Sequence, residues 1–182
     1  MAGFIGYPGV NNEGKILYLV RHAKSSWKDA TLADIDRPLN GRGQRNSPDM
    51  GKRMREQGHK PDLVISSPAR RARVTAGNIV RELGIDESAI AIDEDLYFSG
   101  IRGMQAVLES VDDRHRKVMM VGHNPDMTSL LNRLGGTSII NMPTCAIAII
   151  GFDITSWADL HSTQGVLLGY DYPKGCGSFT GN

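Results

Sequence analysis

The sequence places basic and imidazole side chains directly after three apolar runs, near the point where each run ends. Arg21 and His22 follow the first run, Arg71 comes soon after the second, and His123 follows the third. Arginine offers phosphate oxygens two parallel N–H donors and keeps its charge at neutral pH. A neutral imidazole has a lone pair that can attack phosphorus. These residue types therefore favour phosphoryl chemistry.

The same residues are unsuited to a divalent metal. Zinc is bound by His, Cys or carboxylate ligands, and guanidinium groups beside the cation would oppose it. The two cysteines, Cys145 and Cys176, form no CxxC and stand apart from the histidines. We therefore expect neither a metal nor an organic cofactor.

Strand-like runs and helical patterns alternate along the chain. Runs typical of buried strands lie at 16–20, 63–65, 118–121, 146–150 and 166–168, with a weaker candidate at 89–92. Helical patterns cover about 44–57, 67–83, 101–110 and 125–134, the second with Ser67 as its expected N-cap. This order predicts an α/β protein, a three-layer α/β/α sandwich with a mostly parallel central sheet. Ligands of such sheets bind beyond the carboxyl ends of the strands, so we expect the basic and imidazole residues to meet there.

The composition excludes several classes of protein. The 182 residues include 21 Lys and Arg and 20 Asp and Glu, which gives a net charge of +1. A protein with so small a net charge has no overall electrostatic attraction for nucleic acid or for an anionic membrane. No apolar run approaches the roughly 20 residues that span a bilayer, and residues 1–14 lack the pattern of a secretory signal. We expect a cytoplasmic protein with one domain over 15–171 and flexible ends at 1–14 and 172–182.

Four segments in order make the chain resemble the histidine phosphatase superfamily, which includes the cofactor-dependent phosphoglycerate mutases. They are Leu19–Ala23, Asp36–Gly43, Ser66–Ala76 with its Ser-Pro-x-x-Arg-Ala pattern, and Val121–Pro125. The Arg-His-Ala-Lys opening, the Asp-Arg-Pro-Leu segment and the late Ser156–Leu160 look most like SixA-type phosphohistidine phosphatases. The resemblance covers about residues 15–171 and implies a phosphoglycerate-mutase-like fold.

The resemblance implies roles for five residues. His22 matches the nucleophile that becomes transiently phosphorylated, and His123 matches the second histidine, which donates to the phosphoryl oxygens. Arg21 and Arg71 match phosphate-binding arginines, and Arg37 matches an additional phosphate contact of the SixA-like branch. Water would then hydrolyse the phosphoenzyme without a metal or cofactor.

Two departures from the family pattern bear on the substrate. Ala23 replaces the glycine usual after the nucleophile, and the carboxylic acid of the mutases has no secure match, because Glu94 and Asp95 both lie in the right region. A P–N bond to imidazole breaks easily once that nitrogen carries a proton, so it needs a strong acid less than an ester does. We therefore expect a phosphohistidine phosphatase that acts in signal transduction on a histidine phosphotransfer domain or a phosphocarrier, with no nucleic acid or membrane partner.

Two alternatives stay open. A phosphatase or mutase for a small phosphoester could use the same fold and the same His22, although the chain lacks the long insertion that caps the larger mutase sites. A non-catalytic domain that binds phosphorylated ligands would keep Arg21, Arg71 and His123. The intact nucleophile argues against that second alternative, because binding alone does not need it.

Overall fold

Six strands form one sheet in the computed structural model, which describes residues 10–11, 13–175, 177 and 179. They are β1 (Lys15–Arg21), β2 (Leu63–Ser66), β3 (Ile90–Ile92), β4 (Lys117–Gly122), β5 (Ile147–Phe152) and β6 (Val166–Asp171). Their order across the sheet is β3-β2-β4-β1-β5-β6. The strands β1 to β4 are parallel, and β5 is antiparallel to both of its neighbours.

The register of the parallel strands explains why the site lies at one edge. Val121 of β4 pairs with Val20 of β1 on one side and with Ser66 of β2 on the other. The three strands therefore end at the same level, and the residues that follow them leave the sheet together. The mostly parallel sheet is as the sequence predicted, and the residues that follow β1, β2 and β4 lie at one edge of it.

Helices cover both faces of the sheet and complete the predicted sandwich. They are α1 (Gly41–Glu56), α2 (Arg70–Glu82), α3 (Gly100–Glu109) and α4 (Asp126–Gly135). Alternate residues of β1 point to opposite faces, so Tyr18 packs in the core under α1 and α2, while Leu19 packs in the core under α3 and α4. Short 3-10 turns lie at Asp34–Asp36, Glu87–Ala89, Glu94–Leu96 and Trp157–Ser162.

Two helices begin at other residues than the sequence predicted. The helix α2 begins at Arg70, with Ala69 rather than Ser67 as its N-cap. The backbone N–H of Ser67 donates to the Val121 carbonyl at 3.0 Å, so Ser67 is still held by the neighbouring strand. The helix α1 begins at Gly41, because the side chain of Asn40 caps its first turn. It continues through Pro48 to Glu56.

Part of the expected flexible C-terminal end packs on the domain. Phe179 is 3% exposed and its ring lies 5.4 Å from that of His59, while its N–H donates to Gln57 at 2.9 Å. Of the two ends, residues 1–9, 12, 176, 178 and 180–182 lie outside the described residues. Within the described chain, no helix combines the length and apolar character needed to cross a membrane.

Candidate active site

The edge of the sheet brings together all five residues singled out in the sequence. His22 directly follows β1, and its N–H donates to the carbonyl of Gly122, the last residue of β4, at 3.0 Å. The rings of His22 and His123 therefore lie side by side, with centroids 4.9 Å apart. In addition to burial, the positive charges of Arg71, Arg21 and Arg37 all lower the pKa of His22, so the three guanidinium groups lie near this histidine.

The ring of His22 is held in one tautomer. Its Nδ1–H donates to the carbonyl oxygen of Ala23 at 2.7 Å, and because a carbonyl can only accept, the lone pair is left on Nε2. Burial, together with the positive charges of Arg71 and Arg21, lowers the pKa of His22 to about 4. The ring is therefore neutral at pH 7, with the nucleophilic nitrogen unprotonated.

Ala23, which stands where the family has glycine, is fully buried and links the nucleophile to α2. Its N–H donates to the Thr75 hydroxyl at 2.9 Å, and that hydroxyl donates to the carbonyl of Arg71 at 2.6 Å. The backbone after His22 is thus fixed to the helix that carries Arg71.

His123 has one nitrogen engaged and one open. The hydroxyl of Ser67 lies 2.7 Å from Nε2 and also accepts from the N–H of Ala69 at 3.3 Å, so we assign its proton to the bond with Nε2. The Nδ1 atom is buried and makes no hydrogen bond to the described residues. Burial, followed by the neighbouring His22 and Arg71, lowers the pKa of His123 to about 3. In this assignment His123 is neutral and presents an unused Nδ1–H donor.

Arg21 is anchored by the segment that precedes β5. Its guanidinium donates to the Met142 carbonyl at 2.5 Å and to Asn141 Oδ1 at 3.3 Å, while its Nε is buried without a partner among the described residues. The side chain of Asn124 donates to the same Asn141 oxygen at 2.7 Å. Segments after β1, after β4 and before β5 therefore meet at this guanidinium.

Arg71 and Arg37 share one carboxylate that the sequence reasoning missed. The two terminal nitrogens of Arg71 donate to the carbonyl of Asp34 at 2.5 Å and to its Oδ2 at 2.8 Å. Arg37 donates to Oδ1 of the same residue at 2.8 Å, and the Tyr97 hydroxyl donates to Oδ2 at 2.8 Å. Partial burial acts to raise the pKa of Asp34, but these hydrogen bonds outweigh it and hold the pKa at about 2.

The loop 24–40 carries both Asp34 and Arg37 and is closed at its base. Ser25 and Leu39 form an antiparallel bridge there. The start of α1 packs on this base so closely that a Cβ at Gly43 would lie 2.4 Å from the Lys24 carbonyl oxygen, which requires glycine. The bridge and this close contact hold the two ends of the loop together against α1.

Arg37 is bound mainly by its own loop. It donates to the Ser25 hydroxyl at 2.7 Å and to the Ser26 carbonyl at 3.2 Å, and the ring of Trp27 lies 3.1 Å from its guanidinium carbon. All three of its nitrogens are thus engaged, since NH1 binds Asp34. Arg37 lies beside the site, and a direct phosphate contact stays a prediction.

The two acid candidates lie on the 3-10 turn after β3. Glu94 and Asp95 are both exposed, and neither carboxylate bonds to a site residue within the described chain. The side chains that do reach the histidines from this segment are aromatic: the rings of Tyr97 and Phe98 lie 5.5 and 5.4 Å from that of His123. The sequence offered a signal for Ser67, which follows a strand, but none for the contacts of Asp34 with Arg71 and Tyr97, which are distant from it in the chain.

Such an arrangement can bind a tetrahedral anion and attack it. It places a neutral nucleophile and an unused imidazole donor near three guanidinium groups, two of which also bind the carboxylate of Asp34. Within the described residues, no group of three or more His, Cys, Asp or Glu could hold a metal ion.

Comparisons with known proteins agree with this chemistry. The family model of the histidine phosphatase superfamily (branch 1) matches residues 17–97. A protein of Mycobacterium tuberculosis with no assigned activity is 32% identical over 165 residues, which is 85% of this chain and 100% of that protein. A structure of SixA from Agrobacterium tumefaciens has a TM-score of 0.71 at 26% identity, covering 87% of this chain and 98% of the other. The fold is also similar to that of the protein histidine phosphatase SixA complexed with tungstate, with a TM-score of 0.74 at 22% identity over 87% of this chain and 97% of the other.

Proposed function

Because the chain belongs to the histidine phosphatase superfamily, we propose that it removes the phosphoryl group from phosphohistidine on a protein, through a phosphoenzyme formed at His22. The observation that carries this proposal is the state of His22. Its Nδ1–H is engaged by a carbonyl, its Nε2 lone pair is unprotonated, and burial together with the positive charges of three nearby arginines keeps its pKa low. A site that only bound phosphate would not require a histidine with an unprotonated, accessible lone pair.

In the first step Nε2 of His22 attacks phosphorus in line. The P–Nε2 bond forms, the P–N bond to the substrate imidazole breaks, and the leaving nitrogen takes up a proton. Arg21, Arg71 and the Nδ1–H of His123 stabilise the charge on the three equatorial oxygens. Because His22 and His123 are neutral before the reaction, neither has to lose a proton first.

In the second step water attacks the phosphorus of the phosphoenzyme. The P–Nε2 bond breaks, inorganic phosphate and a proton are released, and His22 returns to its starting state. The hydrogen bond from Nδ1 to Ala23 stabilises the charge that the ring carries while it is phosphorylated.

The acid–base groups of the site favour a P–N bond over an ester as the bond that is broken. The leaving oxygen of an ester needs a proton from an acid, but the carboxyl group that binds the site arginines, Asp34, has a pKa of about 2 and is ionised. The exposed Glu94 and Asp95 make no contact that would direct them to the leaving group. A leaving imidazole can instead be protonated by solvent.

Labelling and turnover test the proposal together. Incubation with a phosphorylated histidine phosphotransfer domain should give acid-labile, base-stable label on the wild-type protein and none on His22→Ala. Release of phosphate from this domain should exceed release from phosphoglycerate and sugar phosphates. Much faster hydrolysis of the small esters would identify a small-ester phosphatase instead, and saturable phosphate binding without any turnover would identify a binding domain.

A further inference from the structure

Three of the large hydrophobic side chains that are exposed in the described chain lie around the candidate active site. They are Trp27, Phe98 and Ile140, which are 73%, 55% and 99% exposed and which we call the rim. Exposing such side chains to water is unfavourable, and clusters of them mark interaction surfaces. Val166, another exposed hydrophobic side chain, lies at the opposite end of the sheet from His22.

Each side chain of the rim lies next to a different residue of the site or of its immediate surroundings. Trp27 stacks on the guanidinium of Arg37, and the ring of Phe98 lies 5.4 Å from that of His123. Ile140 precedes Asn141, which accepts a hydrogen bond from Arg21. The three side chains come from three separate loops, so the fold presents apolar groups on several sides of one phosphate site.

The backbone at Phe98 supports a functional reason for its exposure. Its φ angle is +62°, in the left-handed region that residues other than glycine rarely adopt. Such a conformation is unfavourable for a residue with a side chain, and it persists where the surrounding structure holds it. Here it places a phenyl ring at the mouth of the site, half in solvent.

A cavity beside Ile140 extends the rim. It has a volume of about 350 Å³ and is lined by Ile139, Ile140 and the polar side chains of Asn124, Thr128, Asn132 and Asn141. Because Asn124 and Asn141 also line the pocket of Arg21, the cavity opens next to the phosphate site. Its mixed lining suits one side chain of a bound protein that has apolar carbons and a polar end.

We infer that the rim is the docking surface for the protein that carries the phosphohistidine, and that apolar side chains flanking that histidine pack on Trp27, Phe98 and Ile140. This inference rests on the proposed function. We identify the bound protein from the position of the rim, because these side chains adjoin Arg37, His123 and the residue that binds Arg21, and a molecule that brings a phosphoryl group to His22 comes close to them. A phosphoryl donor as small as phosphoramidate would have no apolar surface to place against them.

Ile140→Ser tests the rim with Val166→Ser as its matched control. Ile140 bonds to no catalytic group, so its loss should leave turnover of phosphoramidate unchanged. With a phosphorylated histidine phosphotransfer domain, Ile140→Ser should raise KM about tenfold, the effect of a moderate interface hot spot, while kcat stays the same. Val166→Ser should match the wild type with both substrates.

Trp27→Ser and Phe98→Ser add a second measurement, because both also touch site residues. Their loss of kcat/KM should be several-fold larger with the phosphoprotein than with phosphoramidate. Equal losses with the two substrates, or an Ile140→Ser protein that matches Val166→Ser, would overturn the docking surface while leaving the phosphatase intact.

Two further outcomes would also refute the inference. A wild-type protein that hydrolyses neither substrate would refute the proposed function itself, and the rim assignment with it. A stable dimer that Ile140→Ser converts to a monomer in sedimentation would assign the rim to a second copy of this chain instead.

Discussion

The hydroxyl of Ser67 lies 2.7 Å from Nε2 of His123 and thereby leaves Nδ1 as the unengaged nitrogen of that buried ring. The two residues follow neighbouring parallel strands, so the sheet register brings them together. With Nε2 engaged, the proton of the neutral ring resides on Nδ1, the atom without a partner among the described residues. A serine that the sequence presents as a helix cap is thus an orienting group.

Ser67→Ala should weaken catalysis by releasing this orientation. The lost hydrogen bond is worth about 1 kcal/mol, so we expect kcat to fall about five- to tenfold with little change in KM. The control is Ser66→Ala, since the hydroxyl of Ser66, also buried, donates only to the Ser67 carbonyl. Steady-state kinetics of both variants test this prediction. An equal loss of kcat in Ser66→Ala and Ser67→Ala would show that packing, rather than the hydrogen bond to His123, is responsible.

Arg71→Lys should reduce kcat/KM about 100-fold. Lysine keeps the charge but cannot reproduce the two parallel donors of the guanidinium, and donors to a developing oxyanion contribute on this scale. Arg73→Lys serves as the control, because Arg73 lies on the same helix but is exposed. If Arg71→Lys retained most of the activity, Arg71 would be a structural partner of Asp34 rather than a phosphate ligand.

Asp34→Asn should strengthen the binding of inorganic phosphate. The carboxylate places a negative charge beside the anion site and accepts from one terminal nitrogen of Arg71, while the backbone carbonyl of Asp34 accepts from the other. Removing one charge a few ångströms away is expected to lower the dissociation constant about fivefold, which calorimetric titration would measure. Asp36→Asn, on the same loop and exposed, controls for the change in net charge. Weaker binding in Asp34→Asn would instead show that holding the arginines in place outweighs repulsion.

The free energy of unfolding should decrease as the pH falls from about 6.5 to 4. His59 is 7% exposed, and burial together with the charge of Lys117 lowers its pKa to about 4. The unfolded chain takes up a proton on this ring near pH 6.5 and the folded chain does not, so acid favours unfolding across this window. A shift of this size corresponds to about 3 kcal/mol. Urea denaturation at several pH values should show the decrease, and His59→Gln should show a smaller one.

The sequence predicted the sheet and the convergence of the site well, for a physical reason. Buried parallel strands are continuous apolar runs, and the residues that follow such runs necessarily share one edge. His22 and His123 could therefore be placed together from the sequence alone. The helical patterns were also informative, because the apolar face of α2 has the 3.6-residue period.

What the sequence could not show depends on contacts between distant residues. Asp34 looks like an ordinary loop aspartate, and nothing local reveals that Arg71, 37 residues further on, binds it. Ser67 carries the signature of a helix cap, but the sheet holds its backbone and His123 takes its hydroxyl. In both cases the side chain binds a residue that is distant in the chain, although its local sequence suggests another role.

The bridge between Ser25 and Leu39 makes the loop that it closes an exchangeable module. Both ends of the loop meet at this bridge, and the segment carries Asp34, which binds Arg71, together with Trp27 of the rim. A longer or shorter tip changes the entropy of loop closure by only about 0.6 kcal/mol for each doubling of length. Grafting this one segment from a relative would therefore transfer phosphate affinity and partner choice together, without rebuilding the sheet beneath.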